Sequence, residues 1–600
     1  MTDLHSFYTN RIETYQAQKK TIQCQIGLTS LLRLFAFILA VAISVIVFKY
    51  SWIYSAISFS LLTSGFLFLV SRYSELVLSK KYISELIRIN EEEILRLEWN
   101  YTSFDQGEEF IESNHPYSGD LDIFGDGSLF QYLNATCTSA GRKKLAGLLS
   151  SPSQADTIRL NQAAIGELKE KTEWRQSVQA RGRLIPEIGS ELNDLKKWLE
   201  TPVSINFKPF MMAVLYGLPA ITIVTIILSA FLIRYNIPVF LVLLQLGIIA
   251  AYLVKINKEY SNVTRKNLLL NKYRILLEKA ENENFTSPKL IDLQSTLLNP
   301  LPVSIKMKKL TRLTGQFDWR LNMLIGIVLN AILLWDLQCI RRLNNWKREH
   351  GSKVSGWFDI LAEFDVLNSL GGFAYNNPGY AFPGLSSSEK LISGQEVGHP
   401  LIPSEERVEN DLEIDNWGQL MLVTGSNMSG KSTFLRTIGI NLVLAMTGAP
   451  VCATRFEFQP VEMYSSMRIG DSLRNRESTF YAELRRLKSI IDHYKKGSKA
   501  LILLDEILKG TNSKDKHFGS EMLIRQLIEY NAAGIIATHD LELSKLENEF
   551  PDNLLNYSFE VQIESGLFTF DYKLKRGVCH TLNATELMKQ MGISIKDSRV

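Results

Sequence analysis

The stretch QLMLVTGSNMSGKSTFLRTIGIN, residues 419–441, decides the fold of the C-terminal part of this chain. Residues 420–424 are apolar and partly β-branched, as in a short buried strand, and the residues from Thr433 onward have the pattern of a helix. Between them lies a loop of the form G-x-x-x-x-G-K-[ST], in which glycines at both ends allow the backbone to curl around phosphate groups. This order of strand, loop and helix predicts a phosphate-binding site; a chance glycine-rich turn is the alternative.

The loop supplies the groups that a nucleoside triphosphate requires. Backbone N–H groups and the helix N-terminus face the phosphates, Lys431 brings a full charge to the β- and γ-phosphates, and Ser432 is placed to ligate Mg²⁺. We therefore predict ATP and Mg²⁺ as cofactors. The predicted nucleotide-binding residues are Gly425, Ser426, Asn427, Met428, Ser429, Gly430, Lys431, Ser432 and Thr433.

Two later apolar runs end in residues that fit catalysis at the same site, the first in Asp505 and Glu506 and the second in His539. In a parallel sheet these strand ends share one edge. Asp505 can hold Mg²⁺, Glu506 can orient and deprotonate the attacking water, and His539 can donate to the γ-phosphate. We predict an ATP hydrolase with Lys431, Glu506 and His539 as catalytic residues and Ser432 and Asp505 as metal ligands. A surface acidic pair and an ordinary histidine are the alternatives.

Composition sets limits on the other functions of the chain. Its 600 residues are 46% hydrophobic, which is enough for several domains with their own cores, and the net charge of +3 is too small to argue for nucleic acid. The five cysteines lack C-x-x-C pairing, so a reducing compartment without a zinc site is expected. They are Cys24, Cys137, Cys339, Cys452 and Cys579.

Two pairs of apolar segments predict transmembrane helical hairpins. The first pair spans about residues 28–48 and 51–71, and the second about 209–233 and 235–254. Each is long enough for the roughly 20 residues that cross a bilayer, and all are uncharged except the first, which is uncharged from residue 34 and extends back to about residue 28 if the Arg33 side chain reaches the membrane surface. A cleaved signal peptide is the alternative for the first pair, and a buried soluble helix pair is the alternative for the second.

The basic residues predict the orientation of these hairpins. They lie mostly before and after each pair, whereas only Lys49 and Arg234 lie in the turns. Basic residues are enriched on the cytoplasmic side of spans. We therefore expect a multi-pass protein of the inner (cytoplasmic) membrane with its termini and ATPase domain in the cytoplasm.

The remaining sequence before residue 371 has helical patterns. Residues 73–99 read as an amphipathic helix leading away from the membrane. Residues 258–313 are charged and contain a basic group, for which a solvated face is favoured over contact with DNA phosphates or anionic lipids. Residues 321–335 are apolar but short, and they predict a core helix rather than a fifth span. The basic group consists of Lys306, Lys308, Lys309 and Arg312.

Three motifs in combination are similar to those of the MutS family of mismatch-repair ATPases. They are TGSNMSGKST at 424–433, STFYAE at 478–483 and DEILKGT at 505–511, and weaker similarity begins near residue 120. The resemblance implies an α/β P-loop ATPase domain of the ABC type at 371–600, preceded by an all-α MutS-like core at 118–370. It also implies a homodimer in which Ser478 completes the partner's nucleotide site, and it places residues 399–402 and 410–411 near the adenine.

The sequence also departs from the pattern of that family. Leu508-Lys509 replaces Gly-Arg, Asp515-Lys516 replaces Asp-Gly, and a membrane hairpin is inserted in the core region, where long clamp helices are expected. Residues 1–117 hold a hairpin and a linker, so we expect no mismatch-reading domain, and the Phe110-Ile111-Glu112 triplet is attributed to chance. After Gly592 no room is expected for a helix-turn-helix.

Two functional hypotheses remain from the sequence. The first is a membrane-anchored MutS-like ATPase acting as a dimer, of DNA mismatch repair type by resemblance, with DNA as a possible partner and doubtful mismatch specificity. The second is a membrane-coupled ATPase, transporter-like or mechanotransducing, in which the hairpins receive the motion. A nucleotide-dependent scaffold with little turnover is a third possibility.

Overall fold

The structure is a computed structural model. It describes residues 2–187, 191–201, 205, 207–232, 236–264, 266–386, 390–426, 428–467, 479–509, 511–564 and 567–579. A mostly helical region occupies the first two thirds of the chain, and an α/β region with two sheets follows it.

The first hairpin consists of two very long helices, α1 (Thr2–Phe48) and α2 (Trp52–Leu97), which pack against each other. The chain reverses at Lys49 and Tyr50, and the Ser51 hydroxyl caps α2 by accepting from the N–H of Ile53 at 3.3 Å. The polar segment before residue 30 and the amphipathic segment after residue 72 continue these same helices without a break.

The second hairpin consists of α8 (Pro209–Leu232) and α9 (Asn236–Thr264). Gln245 donates from Nε2 to the Thr222 hydroxyl at 2.6 Å, and both side chains are fully buried between the two helices. Four helices in the described part of the chain are long and apolar enough to cross a membrane, namely Asp3–Phe48, Trp52–Leu97, Pro209–Ser229 and Asn236–Ser261. The hairpins are therefore observed as helix pairs, and their crossing of a membrane stays a prediction.

Shorter helices on both sides of the second hairpin build the rest of the helical region. The longest of these helices, α15 (Val354–Asn376), packs on α4 (Ser139–Leu149) and α5 (Ala155–Glu170). The buried Asp365 of α15 accepts from the N–H and the hydroxyl of Thr138, at 2.9 and 2.6 Å, and so fixes the start of α4. The helices are α3 (Leu129–Leu133), α4 (Ser139–Leu149), α5 (Ala155–Glu170), α6 (Thr172–Arg183), α7 (Glu191–Glu200), α10 (Asn267–Glu281), α11 (Pro288–Leu298), α12 (Val303–Phe317), α13 (Met323–Leu333), α14 (Trp335–His350) and α15 (Val354–Asn376).

The prediction of a core helix at 321–335 is wrong. Helix α13 buries only Gly326, Asn330 and Ala331, and its large apolar side chains are mostly exposed. The helix packs with one side on α8 and α9, and the chain bends by 80° at Leu334, which has a left-handed backbone with φ +51°. Composition alone does not distinguish an apolar helix inside a core from one that lies on the outside of a hairpin.

The α/β region begins a few residues later than expected, because α15 runs through the predicted boundary at residue 370/371 and ends at Asn376. The strands are β1 (Gly384–Leu385), β2 (Ile392–Val397), β3 (Asn410–Ile414), β4 (Leu420–Gly425), β5 (Arg455–Phe458), β6 (Glu462–Ser466), β7 (Ala500–Asp505), β8 (Ala533–Thr538), β9 (Leu554–Glu564) and β10 (Leu567–Arg576). The helices are α16 (Lys431–Thr447), α17 (Thr479–Lys495) and α18 (Ser513–Glu529).

Two sheets divide these strands. The six-stranded sheet has the order β10-β9-β4-β8-β7-β6 and is parallel except for β10, whereas a smaller sheet has the order β1-β5-β2-β3. The central strands β4, β7 and β8 are buried at every position, so they need apolar side chains on both faces. Their carboxyl ends lie along one edge, which is where ligands bind in such sheets.

Candidate nucleotide site

The loop between β4 and α16 has the backbone that its glycines allow. Gly430 has φ +101°, in the left-handed region, and a Cβ atom there would lie 3.0 Å from the ring of Tyr572. Any larger residue at this position would therefore be strained and would also crowd that ring. Met428, at the tip of the loop, has φ +67° and is 81% exposed. Asn427, another predicted binding residue, lies outside the described residues.

The Lys431 side chain is only 5% exposed and points back along the loop. Its Nζ donates to the carbonyl oxygens of Gly425 and Ser426 at 2.8 and 2.7 Å. Burial lowers the pKa of Lys431 to about 8, because a buried ammonium loses hydration, although the carboxylates of Glu506 and Asp505 oppose the shift. The amine is thus held by neutral carbonyls in a place where an anionic phosphate would pair with it more strongly.

Ser432 and Asp505 form a pair of oxygen ligands beside Lys431. The Ser432 hydroxyl donates to Oδ2 of Asp505 at 2.6 Å, and Asp505 is 9% exposed. Among the described residues no group of three or more His, Cys, Asp or Glu side chains is placed to hold a metal. Magnesium suits this arrangement, since it takes one or two protein oxygens and completes its shell with phosphate and water.

Glu506 and His539 are neighbours because their strands are. In the parallel pair β7 and β8, Asp505 lies opposite Ala537, and the N–H of Glu506 donates to the carbonyl of Ala537 at 2.9 Å. His539 donates from Nδ1 to the carbonyl of Gly425 at 2.7 Å, and its Nε2 contacts the Glu506 carboxylate. One histidine therefore joins the phosphate loop to the acidic end of β7.

The contact with His539 also controls the chemistry of Glu506. The hydrogen bond from His539 is the main cause that lowers the pKa of Glu506 to about 2, and the charge of His539 and the nearby Lys509 and Lys516 act in the same direction. A carboxylate with so low a pKa is a weak base. In this state Glu506 is suited to orienting a water.

Glu483 has a structural role that the sequence motif did not reveal. Its carboxylate is 3% exposed and accepts from the N–H of Leu508 at 2.5 Å and of Lys509 at 3.1 Å. Glu506 and Leu508 both have positive φ, at +50° and +59°, so this turn needs external support. Glu483 thus ties α17, the helix that begins directly after Ser478, to the turn that carries the catalytic candidate.

A cavity of about 670 Å³ opens over these residues, a volume within the usual range for small-molecule sites. Its lining includes the phosphate-loop residues together with Glu506 and His539. It also includes the apolar and aromatic side chains of Leu401, Ile402, Phe559 and Tyr572 and the polar side chains of His399 and Arg407.

Two of these lining residues have specific geometry. Burial lowers the pKa of His399 to about 4, helped by the charges of Arg436 and Arg407, so the ring is neutral and its Nδ1 accepts from the N–H of Leu401 at 3.2 Å. Tyr572 reaches the cavity from β10, where a bulge between Phe570 and Leu574 breaks the pairing with β9. The residues at 399–402 were expected near the base, whereas Tyr572 was missed because a bulge cannot be read from apolar alternation.

The structure thus places Lys431, Ser432, Glu506 and His539 in the lining of one cavity, and Asp505 lies beside them through its hydrogen bond with Ser432. Ser478, predicted to act in trans, lies outside the described residues. Phe110 of the Phe-Ile-Glu triplet packs on Phe124 and Phe130, with ring centroids at 5.8 and 5.7 Å, far along the chain from the nucleotide cavity.

Comparison with known proteins finds matches to the C-terminal part of the chain. The MutS domain V family model matches residues 421–594. The DNA mismatch repair protein MutS of Thermotoga petrophila is 32% identical over 237 residues, which cover 39% of this chain and 29% of that protein. The protein of the same name from Chlorobium phaeovibrioides is 34% identical over 244 residues, covering 39% and 27%. The chain therefore spans less than a third of the length of the curated relatives it matches.

Proposed function

We propose that the protein is a membrane-anchored MutS-like ATPase that binds and hydrolyses ATP with Mg²⁺ as a dimer, because residues 421–594 match the MutS domain V family model and the C-terminal region is 32% identical to a DNA mismatch repair protein MutS. The observation that carries the enzymatic part is a cluster of five side chains, four of which line one cavity while the fifth, Asp505, accepts a hydrogen bond from Ser432. Lys431 provides the cation, Ser432 and Asp505 provide the oxygen pair, and Glu506 with His539 provides the water-orienting group.

Each of these groups has a task that its environment supports. Lys431 would exchange two carbonyls for the phosphates, and the Ser432 and Asp505 oxygens would hold Mg²⁺ against them. Phosphoryl transfer depends mainly on positioning and charge stabilisation, so Glu506 needs only to hold a water in line with the γ-phosphate. His539 lies between Gly425 and Glu506 and is therefore placed to report the presence of that phosphate to Glu506.

Glu506→Gln tests this assignment directly. The amide keeps the size of the side chain but removes the charge that orients the water, so ATP binding should persist while hydrolysis falls by about 10²-fold or more. Glu529→Gln, an exposed residue at the end of α18, is the matched control and should retain the parent rate. Unchanged hydrolysis in Glu506→Gln would remove Glu506 from the mechanism.

The dimer is proposed from the resemblance of STFYAE to the family signature, in which Ser478 would meet the partner's γ-phosphate. Ser478→Arg should then inactivate the partner's site, and Lys431→Ala should inactivate its own. Mixing the two inactive variants should restore part of the activity, because one site of the heterodimer keeps both an intact lysine and an intact serine. If heterodimers form and no activity returns, the trans role is refuted.

DNA is a candidate ligand because the matched relatives are named as DNA mismatch repair proteins. We propose at most weak, salt-sensitive DNA binding without mismatch preference, since the net charge is only +3. Binding of heteroduplex and matched duplex at two salt concentrations would measure this. A preference of about tenfold or more for the mismatch would contradict it.

A second candidate, a membrane-coupled ATPase, is favoured by a buried polar network between the first hairpin and the end of α15. The Tyr8 hydroxyl on α1 donates to Oδ1 of Asn376 at 2.7 Å, and Asn376 donates to Glu93 on α2. All three side chains are at most 7% exposed, and Asn376 is the last residue of α15 before the α/β region. Motion of either hairpin helix at this point would therefore act on the segment that leads into the nucleotide site.

Asn376→Ala tests this coupling. If the network transmits force, the parent protein should hydrolyse ATP at different rates in lipid vesicles and in detergent, and the variant should lose that difference while keeping the detergent rate. Asn377→Ala is the neighbouring control, because the Asn377 side chain donates to the carbonyl of Phe373 in α15 rather than to Tyr8 or Glu93. A difference that survives in Asn376→Ala would argue against coupling through this network.

A further inference from the structure

The segment from Asp318 to Leu333 forms a small helical hairpin with an apolar tip beside α9. A short 3-10 turn, Asp318–Leu321, leads into α13, and no charged residue occurs from Leu321 to Leu334. The most exposed apolar side chains lie where the chain reverses: Leu321 is 68% exposed, Met323 76% and Leu324 79%. We call these three residues the apolar tip.

The two arms of this hairpin are the 3-10 turn and α13, and they pack against each other. A Cβ atom on Gly326 would lie 2.9 Å from the carbonyl oxygen of Arg320, so the turn folds closely onto α13. At the open end the rings of Trp319 and Trp335 stack with centroids 5.5 Å apart and planes 4° apart. The two ends of the segment therefore lie side by side where it joins the rest of the helical region.

Contacts with α9 show in which direction the tip points. The Tyr260 hydroxyl donates to Asp318 at 3.2 Å, and two residues further along Arg320 donates to Asn257 at 2.8 Å. The turn thus runs backward along α9, from Tyr260 toward residue 254, where the predicted span ends. The tip follows in that direction, and α13 packs on both helices of the second hairpin.

We propose that the apolar tip inserts into the cytoplasmic leaflet of the bilayer beside the second hairpin, as a shallow re-entrant element. This rests on the proposed membrane anchoring. Helix α13, which carries the tip, packs on α8 and α9, and the exposed apolar side chains of these two helices include Phe210 at 81% and Val254 at 83%. Lipid is therefore the occupant that covers both surfaces.

Length and flanking residues set the depth of insertion. Helix α13 has 11 residues and is about 16 Å long, whereas the hydrocarbon core of a bilayer is about 30 Å thick. The segment can enter one leaflet but cannot cross. The stacked tryptophans at its base are the residue type that favours the membrane–water interface. Asn322 pairs two of the backbone N–H groups at the tip, which lipid could not do. Its side chain accepts from the N–H of Ile325 at 3.3 Å, and its carbonyl accepts from the N–H of Gly326 at 2.7 Å.

Fluorescence quenching by lipids tests the proposal on the full-length chain in vesicles. An environment-sensitive fluorophore is attached at Leu324→Cys on the tip, at Val224→Cys on α8 or at Ile291→Cys on α11, in a Cys24→Ser background because Cys24 is the exposed native thiol. Ile291 is the matched control, as an exposed apolar residue of the helical region at 45%. The vesicles carry a quencher either near the lipid headgroup or near the end of the acyl chain.

The label at Leu324 should lose most of its fluorescence to the headgroup quencher and little to the acyl-chain quencher. The label at Val224 should be quenched by the acyl-chain quencher. The label at Ile291 should be quenched by neither. Quenching at Val224 without quenching at Leu324 overturns the tip proposal alone. Absence of quenching at Val224 overturns the membrane anchoring, and with it this inference. Equal quenching at Leu324 and Ile291, or stronger deep than shallow quenching at Leu324, also refutes shallow insertion. ATP hydrolysis by each labelled variant confirms its fold.

Discussion

The nucleotide cavity and the second helical hairpin place polar and apolar groups in opposite ways. In the cavity, Lys431 and Asp505 are buried at 5% and 9% exposure, whereas on the hairpin Phe210 and Val254 are more than four-fifths exposed. A buried charge costs free energy unless a partner of opposite charge or a hydrogen bond compensates it. An exposed apolar patch of this extent also costs free energy unless another apolar surface covers it. The chemistry of each region therefore indicates what binds to it: an anionic phosphate for the cavity and lipid for the hairpin.

The largest effect is expected from one substitution made in two surroundings. Ile227→Lys on α8 and Met522→Lys on α18 both replace an exposed apolar side chain, at 55% and 42% exposure. In lipid the lysine should cost about 2.5–3.5 kcal/mol of insertion free energy, whereas on a wet surface the change should stay within about 0.5 kcal/mol. The measurement is the fraction of each variant that resists carbonate extraction. Equal behaviour of the two variants would remove the distinction between hairpin and water-exposed surface.

A smaller effect is expected at the support of the catalytic turn. Glu483→Gln keeps one acceptor but loses the charge that binds two N–H groups, at a cost of about 2 kcal/mol. The turnover number should fall about thirtyfold while KM for ATP changes little, because Glu483 does not line the cavity. Glu529→Gln again serves as the control. A change confined to KM would show that Glu483 acts on binding instead.

The smallest effect is a dependence of ATP affinity on pH. Because the pKa of Lys431 is about 8, the amine is charged below that pH and becomes neutral above it. ATP affinity should fall by up to about tenfold per pH unit above pH 8, since binding must then take up a proton. Lys431→Met should bind weakly with no such slope. A parent affinity that stays constant up to pH 9 would contradict the buried-lysine account.

The same lysine predicts the opposite trend for stability. Its folded pKa lies below the ordinary value of 10.5, so the unfolded chain binds the proton more strongly between about 8 and 10.5. Across that window Lys431 contributes a free energy of unfolding that rises with pH. Urea titrations of the parent protein and of Lys431→Met, compared at both ends of the window, would isolate this contribution. A folded-state pKa near 10.5 would leave the two proteins with the same pH dependence.

The sequence predicted much of the cavity because its chemistry is local. Strand-end motifs place Asp505, Glu506 and His539 at one edge whenever the strands are parallel, and the loop motif specifies its own backbone. Glu483, whose motif was recognised, has a second role that depends on a contact with residues 508 and 509, which no spacing rule encodes. Tyr572 depends on a bulge in β10.

The helical region was less predictable for a different reason. Uncharged runs identify helices but do not specify what surrounds them, so α13 was expected inside a core and lies outside it. The first hairpin shows the same limit, because one continuous helix includes both an uncharged part and a charged part. In both cases the surroundings, rather than the helix itself, decide which residues are covered.

The length of helix α2 has a mechanical consequence. It runs for 46 residues without a proline and is about 69 Å long, and an α-helix without such a break resists sharp bending. In the proposed anchoring, residues 72–97 would stand about 39 Å above the bilayer, as one stiff stalk continuous with its span. A tilt of about 10° at the membrane would then displace Glu93 and its partner Asn376 by several ångströms. The stalk would act as a lever arm whose short end lies in lipid and whose long end reaches the entrance of the α/β region.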